Sequence, residues 1–306
     1  MQNTRRSFLK SSAMLAAAAV ASPRFTFAAD NKLRRTAVQL YSVRDEMNKD
    51  PKGTLKKLAD LGYTHIEHAN YNAGERKFYG YPVKEFKTLL SDLGLKMPSG
   101  HTTMGRNHWD TATNDFTDEW KRTVEDAAEI GQRYVISPSL GWGAKMTEDF
   151  MKPFMEQFNK CGEFCQKSSM KFAYHNHDFE FRDKVGDVLV FDYMLQNTDP
   201  KLVTWQLDIG NMYIAGGMAA DYINKYPGRF ESMHVKDMKA VEGGDAHHKY
   251  ESCVLGKGIV PVKDILKLGR KKGGTVLFVI EQEEYQGLGQ SESVGIDLQI
   301  MKKWGY

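Results

Sequence analysis

The sequence predicts an α/β chain forming a single (β/α)8 barrel, and three observations carry that expectation. Short apolar runs rich in β-branched or aromatic residues alternate with longer amphipathic segments from Thr36 onward. Eight such pairs fit along the chain, and several of the runs close on His, Asp, Glu or Lys. Alternation of this kind builds a parallel sheet with helical crossovers, and eight repeats close it.

Taken in order, strands are expected at Ala37 to Tyr41, His65 to His68, Lys96 to His101, Tyr134 to Pro138, Phe172 to His177, Thr204 to Asp208, Ser232 to Lys236 and Val276 to Glu281. Helices are expected at Pro51 to Leu61, Val83 to Leu93, Asp115 to Ile130, Glu148 to Ser168, Val188 to Gln196, Met218 to Tyr226, Val262 to Lys271 and Val294 to Trp304. Gly62, Gly94, Gly131 and Gly273 follow four of these helices, where glycine readily ends a helix. The competing fold, an open doubly wound sheet, would place a GxGxxG turn after its first strand, and none is present. No stretch reads as a linker or a second domain. The polar, glycine-containing segment from Met238 to Pro261 follows a strand directly and is the expected active-site loop.

The N-terminus precedes this pattern and obeys a different one. Thr4-Arg5-Arg6-Ser7-Phe8-Leu9-Lys10 carries paired arginines, and a small-residue apolar stretch from Ser11 to Ala21 leads to Thr26-Phe27-Ala28-Ala29. That order reads as a twin-arginine export signal over residues 1–29, with the barrel domain over 30–306. The apolar stretch is short and alanine-rich for a membrane span, which needs about 20 predominantly apolar residues. No cysteine follows it to carry a lipid, so no stable membrane anchor is expected. The expected location is periplasmic or otherwise exported and soluble, with the twin-arginine machinery as a transient partner.

Charge and cysteine usage narrow the function. The formal net charge of +3 includes Arg5, Arg6, Lys10 and Arg24 from the signal. The mature chain is therefore near neutral, which gives no electrostatic case for nucleic acid. Three cysteines cannot frame a disulfide scaffold in a chain of this length, and Cys161 and Cys165 read as buried helix residues.

Barrel chemistry is built at the C-terminal ends of the strands. Here those ends carry metal-ligand residue types: His175 and His177 in Tyr174-His175-Asn176-His177-Asp178-Phe179-Glu180-Phe181, Asp208 in Leu207-Asp208-Ile209-Gly210-Asn211, His234 in His234-Val235-Lys236-Asp237, and Glu281 in Ile280-Glu281-Gln282-Glu283. A divalent cation wants carboxylate and imidazole groups converging from rigid elements, with open positions left for substrate oxygens. Asp208, His234 and Glu281 supply that set, with a histidine of the fifth strand as a fourth ligand. Each residue alone is equally a core or capping group; the convergence of four consecutive strands is what points to a metal. Mixed nitrogen and oxygen ligands admit Mn, Zn, Co or Fe.

These motifs, together with Leu255-Gly256-Lys257-Gly258 and Gly62-Tyr63-Thr64-His65-Ile66-Glu67, resemble the xylose-isomerase-like TIM-barrel superfamily over nearly all of Thr36 to Trp304. That superfamily takes in sugar isomerases, ketose epimerases, inosose dehydratases and type-IV apurinic endonucleases. The resemblance implies a metal-dependent isomerase or epimerase that enolises an unphosphorylated sugar or keto-sugar. Its alternatives are a lyase or dehydratase on an inosose or 3-keto-glycoside, an endonuclease-like hydrolase, and a non-catalytic sugar-binding protein. Epimerases of the family usually place a glutamate on the fifth strand, where this chain has His175. Residues 175 and 177 share a strand face, so either is a fourth ligand; His175 is assigned to the metal and His177 to substrate or proton transfer. Glu281 and His177 are the expected proton carriers and Lys236 the expected stabiliser of negative charge. Glu67, His101 and Glu180 are expected substrate contacts. Trp109, Trp142, Tyr71 and Tyr213 fall in loops where an aromatic face could stack on a sugar ring. The expected partner is a small carbohydrate, and homo-oligomerisation stays open.

Overall fold

The computed structural model describes residues 35–244 and 249–306. The eight expected strands close into one parallel barrel at Arg35–Gln39, His65–His68, Lys96–His101, Tyr134–Ser137, Lys171–His175, Val203–Asp208, Ser232–Val235 and Leu277–Ile280. Every strand pairs with its sequence neighbour, and the first closes on the eighth through Val38 opposite Ile280. Helices cover the outside. The export-signal assignment over residues 1–29 lies outside the described residues.

Strand alternation explains where the site forms. Successive inward positions lie two residues apart, and on three strands the inward row changes from apolar to polar toward the C-terminal rim. Ala37 gives way to Gln39, Ala173 to His175 and Val279 to Glu281. The lower layer, Ala37, Tyr134, Ile136, Ala173, Leu277 and Val279, packs as a small core inside the barrel. The larger core lies between strands and helices, with Phe158, Phe172, Phe191 and Trp205 buried in it. A dry plug therefore supports a polar layer from below.

The elements depart from expectation where side chains take over backbone hydrogen bonds. The fifth strand stops at His175 rather than His177 because Asn176 turns its amide onto strand six, accepting from Asp208 N at 3.0 Å and donating to Asp208 O at 3.1 Å. The helix Asp118–Ile130 starts three residues later than expected, since Thr117 caps it and Asp115–Phe116 pairs with Trp109–Asp110 as a small ribbon. A short helix at Ile209–Ile214 was not anticipated; Asp208 starts it by accepting from Asn211 N at 2.8 Å. The last helix, Gln290–Trp304, begins one turn before the expected Val294.

The segment expected to be an active-site loop is anchored instead. The Asp237 carboxylate accepts from the backbone N–H of Met238, Gly256, Gly258 and Val260 at 2.8 to 3.1 Å. One carboxylate thus gathers Leu255-Gly256-Lys257-Gly258 beneath strand seven, and a Cβ at Gly258 would overlap it. Asp237–Ala240 and Tyr250–Cys253 form an antiparallel ribbon, and none of the described residues of the Met238 to Pro261 segment lines the cavity described next.

Candidate metal centre and cavity

The polar layer is organised around Glu67, which is fully buried on strand two. Its carboxylate accepts from Gln39 Nε2 at 2.8 Å, from Ser99 Oγ, from Gln206 Nε2 at 2.7 Å and from His234 Nε2 at 2.7 Å, with His101 Nε2 at 3.2 Å. Burial alone would push this carboxyl up. The His101 and His234 charges override it and hold Glu67 well below the usual carboxylate range. A buried carboxylate without such partners would cost several kcal/mol.

Gln206, two residues before Asp208 on the same strand face, ties this centre to the rim. Its Nε2 donates to Glu67 Oε2 and, at 3.1 Å, to Ser232 Oγ; its Oε1 accepts from His101 Nε2 at 2.7 Å and His175 Nδ1 at 3.0 Å. All four hydrogen-bonding positions of the amide are used, so its orientation is fixed. The proton of His175 then sits on Nδ1, and its Nε2 lone pair faces Asp208 Oδ2 4.0 Å away. Burial, together with His234 and His101, pushes the His175 pKa well below its ordinary value, so the ring is neutral.

On the other side of Glu67 the same logic orients His234. Its Nε2 proton goes to Glu67, which leaves Nδ1 facing Glu281 Oε2 at 3.1 Å and Asp208 Oδ2 at 3.8 Å. Asp208 divides its oxygens: Oδ1 caps the helix Ile209–Ile214, while Oδ2 is buried without a hydrogen-bond partner, as is His234 Nδ1. Burial raises the Asp208 carboxyl to about 6, with Lys236 opposing and Glu281 reinforcing. Burial would lower the His234 pKa, but Glu281 and Glu67 raise it to about 10.

Lys236 completes the cluster. Only 2% exposed, its ammonium lies 2.8 Å from Glu281 Oε2, 2.6 Å from Glu283 Oε1 and 3.4 Å from Asp208 Oδ2. Burial opposes its charge, yet Asp208, Glu281 and Glu283 hold the pKa well above the ordinary value. Burial likewise opposes ionisation of Glu281, and Lys236 and His234 keep that carboxyl well below its usual range. Gly210 makes this arrangement fit, because a Cβ there would lie 2.7 Å from Lys236 Cγ.

The donor set fits a divalent cation. Asp208, His234 and Glu281 present ligand atoms within 4.8 Å of one another, and His101, His175 and His234 form a second such group. Ligand atoms bound about 2.1 Å from one tetrahedral cation lie roughly 3 to 4 Å apart, which matches the 3.1, 3.8 and 4.0 Å separations at Asp208 Oδ2, His234 Nδ1, Glu281 Oε2 and His175 Nε2. Two of those atoms have no other hydrogen-bond partner, and His234 and His175 each give their second ring nitrogen to a buried acceptor, as metal-binding histidines generally do.

A cavity of about 680 Å3 opens onto this cluster, lined there by His175, His177, Asn211, Glu281 and Glu283. His177 is exposed to it, its ring 5.0 Å from that of His175. Surrounding protein and the Lys236 charge lower its pKa, so the imidazole is an unprotonated base near neutrality. His101 and Tyr71 also line the cavity, whereas Glu67 and Glu180 stand behind its wall. Glu180 is fully buried, accepting from Tyr174 OH at 2.7 Å and from His177 N at 2.9 Å, and burial raises its carboxyl to about 8. Trp109, Trp142 and Tyr213 are absent from the lining; Lys160 lies over the Trp109 ring and Trp142 is fully exposed. Gln206, Asn176, Asn211 and Glu283 were not singled out from the sequence. Gln206 carried the one usable signal, a polar residue two positions before a strand-end ligand.

The sequence model of the xylose isomerase-like TIM barrel family matches residues 55–304, and the chain belongs to that family. A twin-arginine translocation signal matches residues 2–22, and no helix among the described residues is long and apolar enough to cross a membrane. An inosose dehydratase of Lacticaseibacillus casei is 22% identical over 263 residues, covering 79% of this chain and 76% of that one. The crystal structure of a sugar phosphate isomerase/epimerase from Parabacteroides distasonis superposes with a TM-score of 0.75 at 26% identity, covering 89% of this chain and 95% of that one. At 13% identity and a TM-score of 0.69, the IOLI protein, solved with a bound zinc atom, shares the fold over 88% of this chain and 97% of its own.

Proposed function

We propose that this chain is an exported, metal-dependent enzyme that enolises an unphosphorylated keto-sugar, acting as an isomerase or epimerase. The observation that carries the reading is the pairing of two unprotonated bases, Glu281 and His177, on the cavity wall beside a donor set that fits a divalent cation. We assign the cation to His175, Asp208, His234 and Glu281, with Mn, Zn, Co or Fe all compatible with these ligands. When bound, it would supply Lewis acidity to a substrate carbonyl and so acidify the neighbouring C–H. Either base accepts that proton while the C–H bonding pair becomes the enolate double bond and the carbonyl oxygen takes the charge. Lys236, buried against Glu281, stabilises the negative charge that accumulates. Return of the proton to carbon gives the isomer or epimer. His101 contacts substrate from the wall, and Glu67 and Glu180 hold the histidines behind it.

Among the described residues, no Arg or Lys lines the cavity, and Glu119, Glu281 and Glu283 do. That lining favours a neutral polyol over a sugar phosphate, whose anionic group calls for Arg or a helix N-terminus. The twin-arginine signal supports a periplasmic location, where the partners are the export machinery and a carbohydrate.

A second reading is favoured by His175. With histidine where a two-base epimerase has a second glutamate, the enolate can instead expel a β-oxygen substituent. The leaving oxygen departs with the C–O bonding pair and takes the proton held by the protein base, which is lyase or dehydratase chemistry, the activity named for the Lacticaseibacillus relative.

Incubating the metal-loaded mature protein with keto-sugars, inososes and 3-keto-glycosides in deuterated water tests both. Deuterium beside the carbonyl supports enolisation, and an eliminated product identifies the lyase. No exchange with any of them would sink the two readings together.

A further inference from the structure

The cavity is larger than one ring requires. Its volume of about 680 Å3 lies within the range of clefts that enclose drug-sized ligands, about 300–1,000 Å3. A single hexose or cyclitol held at Glu281 and His177 leaves much of it unfilled. The remaining space is walled by Tyr71, Ala73, His108, Glu119 and Thr123. These residues come from the connections after strands two and three, across the barrel from strands six and seven.

That far wall is built and rigid. Asp126, 3% exposed, accepts from Tyr71 OH at 2.6 Å and from Arg76 Nε at 3.0 Å, clamping the extra ribbon after strand two onto the helix Asp118–Ile130. The same helix carries Glu119, Trp120 and Thr123. His108 packs on Trp120 with ring centroids 5.0 Å apart, and its Nδ1 accepts from Gly105 N at 3.0 Å. The ring proton therefore sits on Nε2, which faces Glu119 Oε1 at 3.8 Å. The gap is too long for a direct hydrogen bond, and a hydroxyl oxygen lying to one side of the pair reaches both groups at hydrogen-bond distance. Burial lowers the His108 pKa, which keeps the ring neutral. A neutral N–H beside a carboxylate is the pair that a sugar hydroxyl satisfies, accepting once and donating once.

We propose that this half of the cavity is a second subsite that binds a hydroxylated leaving group, the second sugar or polyol aglycone of a keto-glycoside, with His108 and Glu119 sharing one of its hydroxyls. The assignment rests on the lyase reading, because an isomerase of a single sugar has no second ring to hold.

Two measurements test it. With the metal-loaded protein, kcat/KM is compared for a 3-keto-disaccharide and for 3-keto-glucose, in the wild type, His108→Asn and Glu119→Gln. Glu119 has a 55% exposed side chain, so its replacement leaves the core intact. The wild type should prefer the disaccharide, and either variant should lower the disaccharide-to-monosaccharide ratio about tenfold or more, mainly through KM. A wild-type ratio at or below unity, or a ratio unmoved by both variants, overturns the subsite. Equilibrium titration with unoxidised α- and β-linked glucose disaccharides and with glucose keeps this failure distinct from failure of the lyase reading. Tighter disaccharide binding that weakens about tenfold in Glu119→Gln supports the subsite even if no substrate turns over. Disaccharide affinity equal to that of glucose refutes it whatever the activity.

Discussion

At the scale of single residues, Gln206 and Asp208 each do two things, and substitution separates them. Asn at 208 can still accept from Asn211 N and cap the helix Ile209–Ile214, but it puts an amide where Oδ2 faces His234 and Lys236. Asp208→Asn is therefore expected to keep its melting temperature within a few degrees while losing stoichiometric metal binding by calorimetric titration; tight binding in this variant would remove Asp208 from the site. Gln206→Met keeps the volume but frees the proton of His175 to move to Nε2 and deprives Glu67 of a donor. Its expected effect is a metal affinity lower by about 10- to 100-fold, the usual cost of losing a supporting hydrogen bond behind a ligand. Nitrogen chemical shifts of the His175 ring check the tautomer directly, and an unchanged Nδ1–H signal in Gln206→Met would contradict the account. The sequence disclosed these two residues unequally. Asp208 ends a strand in a row of ligand types, whereas Gln206 looks like any polar residue of an alternating strand. Its meaning depends on Glu67, 139 positions away, and only closure of the barrel brings the two together.

At the scale of elements, local preference and tertiary packing oppose each other at Gly210. Within a helix, alanine is favoured over glycine by about 1 kcal/mol. Here a Cβ would approach Lys236 Cγ to 2.7 Å, Cδ to 2.8 Å and Cβ to 2.9 Å, and the lysine is pinned at its far end by Glu281 and Glu283. Gly210→Ala is expected to destabilise by about 1–3 kcal/mol, the range for overpacking a well-filled site. Chemical denaturation measures it, and an unchanged or raised midpoint would show that Lys236 is free to move aside. The long strands and helices were legible because their periodicity is local. The two-residue ribbons after strands two and three were not, since pairs such as Trp109–Asp110 with Asp115–Phe116 carry too few residues for any pattern. Of these, the ribbon after strand two extends the cavity wall through Tyr71 and Ala73; Tyr71 was legible as a loop aromatic, whereas His108 and Glu119 on the same far wall were not. The Met238 to Pro261 segment looked functional for its glycines, which serve the Asp237 carboxylate instead.

For the whole molecule, burial of acids away from the metal centre sets a pH dependence of stability with a definite sign. Burial raises Glu180 to about 8 and Asp297 to about 7. Both have folded-state values above those of the unfolded chain, near 4.5 and 3.8, so the folded protein holds protons that the unfolded chain has released. Their stabilising contribution is complete below the unfolded values and is lost as pH rises through 7 and 8. The buried histidines act in the opposite direction and elsewhere: burial lowers His65 to about 4 and His68 to about 3, so their contribution is lost only as pH falls below about 6.5. Between pH 6.5 and 8.5 the wild type should therefore lose stability, the two acids contributing on the order of 1–3 kcal/mol and His234, raised to about 10, adding to the slope with the same sign. The double variant Glu180→Gln, Asp297→Asn keeps acceptors for Tyr174 OH and Leu255 N and has no proton to release. Its unfolding free energy, followed by denaturant titration, should fall less steeply over the same range by that contribution, the slope from His234 remaining, and a slope equal to that of the wild type would show that these two carboxyls are already ionised in the folded protein.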